Sequence, residues 1–130
     1  MKTTICLLLA SMILLSSFAT GNAEKNPQGK NSFSIPAFES IHVHKQGRGI
    51  KVQWTMSSAD AVSSYDIQCT YEDPNDIYSN WVVKGTITSN KKMLMFSDNN
   101  NVFAGDAYYR IVAHTASGDV VSDFYWIFIH

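Results

Sequence analysis

The thirteen residues at 107–119, Ala-Tyr-Tyr-Arg-Ile-Val-Ala-His-Thr-Ala-Ser-Gly-Asp, constrain the fold more tightly than any other part of this chain. Tyr109, Ile111 and Ala113 fall on one side at period two, and Arg110 and His114 fall on the other. That alternation marks a β-strand with one buried face. Ser117-Gly118 then offers a tight turn, because glycine takes positive φ without a steric penalty. Upstream, Ile50, Val52 and Trp54 alternate with Lys51, Gln53 and Thr55 in the same way. Two half-buried strands of this type predict a small antiparallel sandwich.

Five further stretches extend the pattern. Ile41 and Val43 alternate with His42 and His44, in a segment that starts near Phe33, Ile35 and Phe38 and that Pro36 assigns to a sheet edge. Tyr65, Ile67, Cys69 and Tyr71 alternate with Asp66, Gln68 and Thr70. Residues 81–87, 93–96 and 124–129 read as strands as well. Loops at 57–64, 72–76 and 97–101 separate them, with room for one helical turn at 60–62 and nothing longer. The expected fold is therefore all-β, a seven-stranded antiparallel two-sheet β-sandwich. Trp54, Tyr65, Ile67, Tyr109 and Ile111 share inward parity and form the predicted core.

The first 23 residues read as a leader rather than as part of this fold. Lys2 gives a positive start, an apolar run follows from Ile5 to Leu15, and Thr20-Gly21-Asn22-Ala23 supplies small residues for cleavage. The run is shorter than the roughly 20 residues a membrane span needs. The expectation is a secretory signal peptide at 1–23, a flexible polar leader at 24–32 and one domain at 33–130. Export places the product in an extracytoplasmic space, secreted or in the cell envelope, with no stable membrane span after cleavage. Removal of 23 from 130 residues leaves 107, with 9 Lys and Arg against 11 acids and a formal charge of −2. Without a basic patch, nucleic acid and anionic membranes are poor partners. Cys6 leaves with the leader, so Cys69 has no partner for an internal disulfide. Its parity with Tyr65, Ile67 and Tyr71 predicts a buried thiol.

Once these residues are in place, the chain resembles a fibronectin type III (immunoglobulin-like) domain. The resemblance rests on Trp54 in the second strand, Tyr65 in the third, and Tyr109-Arg110-Ile111, Ala113 and Gly118 in the sixth strand and its turn. Ser122 matches the serine common at the start of that family's last strand. A Tyr-Tyr-Arg run is also similar to sandwich domains in exported proteins of Bacteroidetes-type bacteria. By spacing, the family's corner tyrosine falls on Ala107, so the resemblance implies either a substitute in Tyr108 or Tyr109 or no corner. Sandwiches of this kind host many unrelated roles, so the resemblance implies a fold and not an activity.

Candidate chemistry is sparse. His42 and His44 share a strand face and His130 ends the chain, but zinc or copper needs a third ligand that no nearby spacing supplies. Exposed strand histidines are the plainer reading. The oxygen-rich runs at 72–76 and 98–101 lack an Asp-x-Asp-x-Asp-Gly frame and read as turns. There is no Gly-x-Ser-x-Gly and no phosphate loop, and Cys69 points inward. No catalytic residue, metal or cofactor is assigned.

One strand departs from the pattern. Residues 124–129, Phe-Tyr-Trp-Ile-Phe-Ile, are apolar on both faces. A two-layer sandwich covers only one face of any strand. The second cover is the segment at 33–38, a second copy of the chain or another protein. Bulk favours Phe124, Trp126 and Phe128 as the core row, which leaves Tyr125, Ile127 and Ile129 outward as the expected partner-binding residues. Tyr78 and Trp81 are weaker candidates for the same surface or for sugar stacking. The function expected is a non-enzymatic exported binding or adhesion module, with a protein partner or self-association. The alternatives are a small carbohydrate-active or hydrolytic protein and a structural spacer that self-associates.

Overall fold

The hairpin at 105–121 organises the molecule. In the structure, a computed structural model that describes residues 35–101 and 103–130, β6 (Gly105–Thr115) runs the full length of one sheet. It turns through Ala116-Ser117 into β7 (Gly118–Val121), with Thr115 paired to Gly118 and His114 to Asp119. Gly118 takes φ 124°, the positive value the sequence reserved for it. The expected leader, its cleavage site and Phe33 lie outside the described residues.

Two antiparallel sheets result. One holds β1 (Phe38–Gln46), β2 (Gly49–Met56) and β5 (Met93–Asp98) in the order β1-β2-β5. The other holds β4 (Val82–Ile87), β3 (Val62–Thr70), β6 and β7, with β8 (Tyr125–Ile129) also on β6. The described residues form no helix, and Val62, placed at the end of a possible helical turn, opens β3 instead.

The described residues form eight strands, not seven. β7 and β8 lie along the same edge of β6, one against Val112–Thr115 and the other against Gly105–Tyr109. Between them, Ser122 takes over the ladder: its N–H donates to the Ile111 carbonyl and its hydroxyl accepts the Ile111 N–H, both at 2.9 Å. A side-chain oxygen has replaced a main-chain carbonyl there, so one edge line divides into two strands.

Trp54, Tyr65, Ile67, Tyr109 and Ile111 are all fully buried, as their parity requires. Ile41, Ile50, Val52 and Met56 join them from the first sheet, and Cys69, Ala107, Ala113 and Ile129 from the second. Trp54 and Tyr65 bring the sheets together, with ring centroids 5.5 Å apart and planes tilted by 59°. That geometry is favourable for aromatic pairs. Among the described residues neither the Trp54 indole nitrogen nor the Tyr65 hydroxyl has a hydrogen-bond partner.

The last strand is inverted relative to expectation. Register pairs Tyr125 with Tyr109, Ile127 with Ala107 and Ile129 with Gly105. Directly opposite residues share a face, and Ala107 and Tyr109 are fully buried. Tyr125, Ile127 and Ile129 therefore face inward against the core, with Ile129 only 6% exposed. The assignment of these three as an outward partner surface is corrected on that ground. Phe124, Trp126 and Phe128 are the outward row, 40%, 59% and 47% exposed. The physical reason is volume. Trp54, Tyr65 and Tyr109 already fill the interior, and the small Gly105 and Ala107 leave room for isoleucine rather than for another indole.

Candidate functional site

Among the described residues, the outer face of β6 and β8 carries a concentrated group of exposed aromatics. Tyr108 and Phe124 meet edge to face with centroids 5.9 Å apart. Trp126 sits opposite Tyr108, and its indole N–H donates to the Asp106 carboxylate at 2.8 Å. Phe128 sits opposite Asp106 and meets His130 edge to face at 5.1 Å. Alternate residues on a strand lie about 6.8 Å apart, so Trp126 and Phe128 of β8 and Phe124, the residue just before it, form a continuous row. β8 also pairs with β6 alone. Among the described residues its other side carries no hydrogen-bonded strand, and β1 of the opposite sheet lies close to it. Among the described residues, Phe38 of the 33–38 segment packs on the core and Ile35 is exposed.

Tyr78 and Ile77 are the most exposed large apolar side chains, at 86% and 87%, on the loop between β3 and β4. Trp81 is different: the Arg110 guanidinium stacks over its ring at 4.0 Å while Arg110 Nε donates to Gln68 at 2.8 Å. That ring is already occupied.

A polar ring closes one end of the sandwich. Lys84 donates to the Tyr71 hydroxyl (3.4 Å), Tyr71 to the Asn101 carbonyl oxygen (3.1 Å), the Asn101 amide to the Tyr109 hydroxyl (2.7 Å), and Tyr109 to Asp98 (2.8 Å). Lys84 and Asp98, 3.4 Å apart, complete the circle as an ion pair. Four successive bonds from Lys84 round to Asp98 point the same way, so each polarises the next, and the Lys84 ammonium closes the circle by donating to Asp98 as well. Asp98 comes from β5, and Lys84 and Tyr109 come from the opposite sheet, so the ring fastens the two layers together. Tyr109 bonds back to Asn101 in the loop before its strand, whereas Ala107, where the resemblance placed a tyrosine, is a small buried residue.

Burial pushes the Cys69 thiol and the Tyr109 phenol up, the phenol far beyond its ordinary range. Burial alone would lower the Lys84 ammonium, but the Tyr71 hydroxyl and the Asp98 carboxylate outweigh it and hold Lys84 above its usual value. All three groups thus stay protonated near neutral pH. They serve as donors and a buried thiol, and none is poised as a nucleophile. Sequence reasoning missed the ring because Lys84 is the extra residue of a β-bulge: Gln68 pairs with Val83 and Ile67 with Gly85. A bulge re-aims the side chain it carries.

The remaining candidates resolve simply. His42 and His44 lie exposed on the outer side of β1, and Cys69 is buried and free. Among the described residues no three His, Cys, Asp or Glu side chains gather to hold a metal ion. Asp98 and Asn101 belong to the ring, and Asp73 and Asp76 accept the N–H groups of Asn75 and Tyr78 in the loop they occupy.

No protein-family model and no curated protein matches the chain. Among solved structures it is similar to OgpA from Akkermansia muciniphila. Wild-type OgpA superposes with a TM-score of 0.52 at 10% identity, over 73% of this chain and 28% of OgpA. The catalytically inactive form, in complex with an O-glycopeptide substrate (glycodrosocin), gives 0.51 at 12% identity, over 72% and 28%. The chain thus spans little more than a quarter of OgpA, and a likeness at this identity is one of fold alone: a small all-β domain of antiparallel sheets.

Proposed function

We propose that this chain is a non-catalytic, exported interaction module of the fibronectin type III-like, immunoglobulin-like sandwich class. In this reading it holds a protein partner, or a second copy of itself, on the outer face of β6 and β8. The observation that carries the reading is the row Phe124, Trp126 and Phe128, three large apolar side chains exposed together along β8 and the residue before it. Contiguous exposed apolar surface of this kind marks interaction sites. Support for the class comes from strand order, with β1-β2-β5 opposed to β4-β3-β6 and the β7–β8 edge. The export reading rests on the leader at 1–23.

Changing Trp126 and Phe128 together to Ser tests the proposal. Both are exposed, so the unfolding midpoint should stay near wild type. Self-association by light scattering, or capture of a partner from the native cell envelope, should be lost. A folded double variant with association and capture unchanged overturns the assignment.

One observation favours a second ligand class. Asp106 pins the Trp126 indole edge and places a carboxylate beside an exposed ring, a pairing of apolar face and hydrogen-bond acceptor that also suits a carbohydrate. OgpA, similar in fold to this chain over about a quarter of its own length, is known in complex with an O-glycopeptide. A glycan array on the purified domain separates the two: binding that Trp126→Ser abolishes supports the sugar.

A further inference from the structure

His114 is held at both ring nitrogens. Its Nε2 lies 2.8 Å from Asp66 on β3 and its Nδ1 lies 2.8 Å from Asp119 on β7. Thr86 on β4 donates to the other oxygen of Asp66 at 2.6 Å. The row Thr86, Asp66, His114, Asp119 thus crosses four adjacent strands on the outer face of the larger sheet. Asp66 and Asp119 are the titratable groups in contact with the ring, and the Ser63 hydroxyl holds the His114 carbonyl from β3.

A neutral imidazole has one N–H and one lone pair. It can donate to one of these carboxylates and must turn a lone pair toward the other at 2.8 Å. Only the imidazolium satisfies both contacts. We propose that His114 is a protonation latch, which in its charged form ties the β6–β7 hairpin to the centre of the sheet and on losing its proton releases Asp119.

Asp119 is the carboxylate that lets go. Its side chain is 54% exposed and, among the described residues, bonds to His114 alone, whereas Asp66 is 20% exposed and also held by Thr86. β7 is the weaker element too, a four-residue strand paired on one side only. Short edge elements open below the global unfolding free energy. Hydrogen bonds to Asp66 and Asp119 hold the His114 imidazolium above its ordinary range, and hydrogen bonds from Thr86 and His114 hold the Asp66 carboxyl below its own. The raised histidine contributes fully below the ordinary imidazole value of about 6.5, and its contribution is lost as pH climbs through the folded-state value. The lowered aspartate contributes above about 4 and its contribution is lost as pH falls through the folded-state value. The latch is therefore closed from mildly acidic pH to beyond 6.5 and opens on the alkaline side.

Imidazole ¹⁵N and backbone amide signals of the full domain, followed from pH 4.5 to 9, test this. The resonance that disappears in His114→Gln should titrate above 6.5, with both nitrogens protonated below its midpoint. The Val120 and Val121 amides should shift with the same midpoint in wild type and stay still in His114→Gln. Asp119→Asn, which keeps the ring and changes only an exposed side chain, should lower the midpoint and remove the coupled movement of β7. A His114 midpoint at or below 6.5 overturns the proposal, as do β7 amides that ignore the titration.

Discussion

Two buried tyrosines give a matched pair of experiments. Tyr65 and Tyr109 are both fully buried, but among the described residues the Tyr65 hydroxyl has no partner, whereas the Tyr109 hydroxyl sits inside the polar ring. Tyr109→Phe keeps the ring of carbons and deletes one oxygen. It leaves the Asn101 amide without its acceptor and takes one donor from the buried Asp98 carboxylate. An orphaned buried polar group costs about 1–3 kcal/mol, and a lost bond to a charged group about 1.5–3 kcal/mol. Lys84 remains on the same Asp98 oxygen and Asn101 is slightly exposed, so the two losses do not add in full. The expected destabilisation is about 2–4 kcal/mol, a large share of the roughly 5–15 kcal/mol available to a domain. Tyr65→Phe removes an unpaired hydroxyl and should be neutral or slightly stabilising. Urea unfolding followed by tryptophan fluorescence measures both, with the slope unchanged if both states keep their compactness. In an Asp98→Ala background, the cost of Tyr109→Phe should fall by at least about 1 kcal/mol, because the two residues share one bond. Equal midpoints for the two Tyr→Phe variants would refute the ring as a stabilising unit, and so would full additivity with Asp98→Ala.

Two further outcomes follow from the core. Cys69 is fully buried with its thiol pushed up by burial, so a thiol reagent should label it only after unfolding; rapid labelling of the native protein contradicts its place. Ile127→Lys with Ile129→Lys puts two charges on the inward face of β8 and should cost at least about 3 kcal/mol, whereas a double variant as stable as wild type would return those residues to the surface.

What could be read from the chain was whatever period two controls. On β2 and β3 one face is polar, and on β6 Arg110 and His114 mark the outward one, so alternation alone identified the five central core residues and the orientation of Cys69. The turn glycine was equally legible, because Gly118 needs a backbone few residues tolerate. Parity gave no signal on the last strand, where both rows are apolar. There the choice depends on volume across the strand pair, Gly105 and Ala107 on one side and Asp106 and Tyr108 on the other, and register is not local information. The polar ring was hidden for a related reason. Its members come from β4, β5, β6 and two loops, and Lys84 turns inward only because of a bulge. The His114 row was within reach: a two-residue turn at Ala116-Ser117 fixes His114 opposite Asp119, and Asp66 shares the outward parity.

The pairing of β3 with β6 sets how this protein must reach its native state. Gln68 and Arg110 are hydrogen-bonded neighbours 42 positions apart in sequence, and β4 and β5 lie between them. The central pair of the larger sheet cannot form until that long loop closes, and the closure entropy is spent before any contact repays it. Folding on the millisecond-to-second scale is the expectation for such non-local strand order. Through that interval β8, apolar on both faces, waits for β6, the strand it pairs with. An unpaired segment of high β-propensity and no charge is a template for other chains. The same strand that offers a docking row in the finished domain is thus its most exposed liability while the sheet is still assembling.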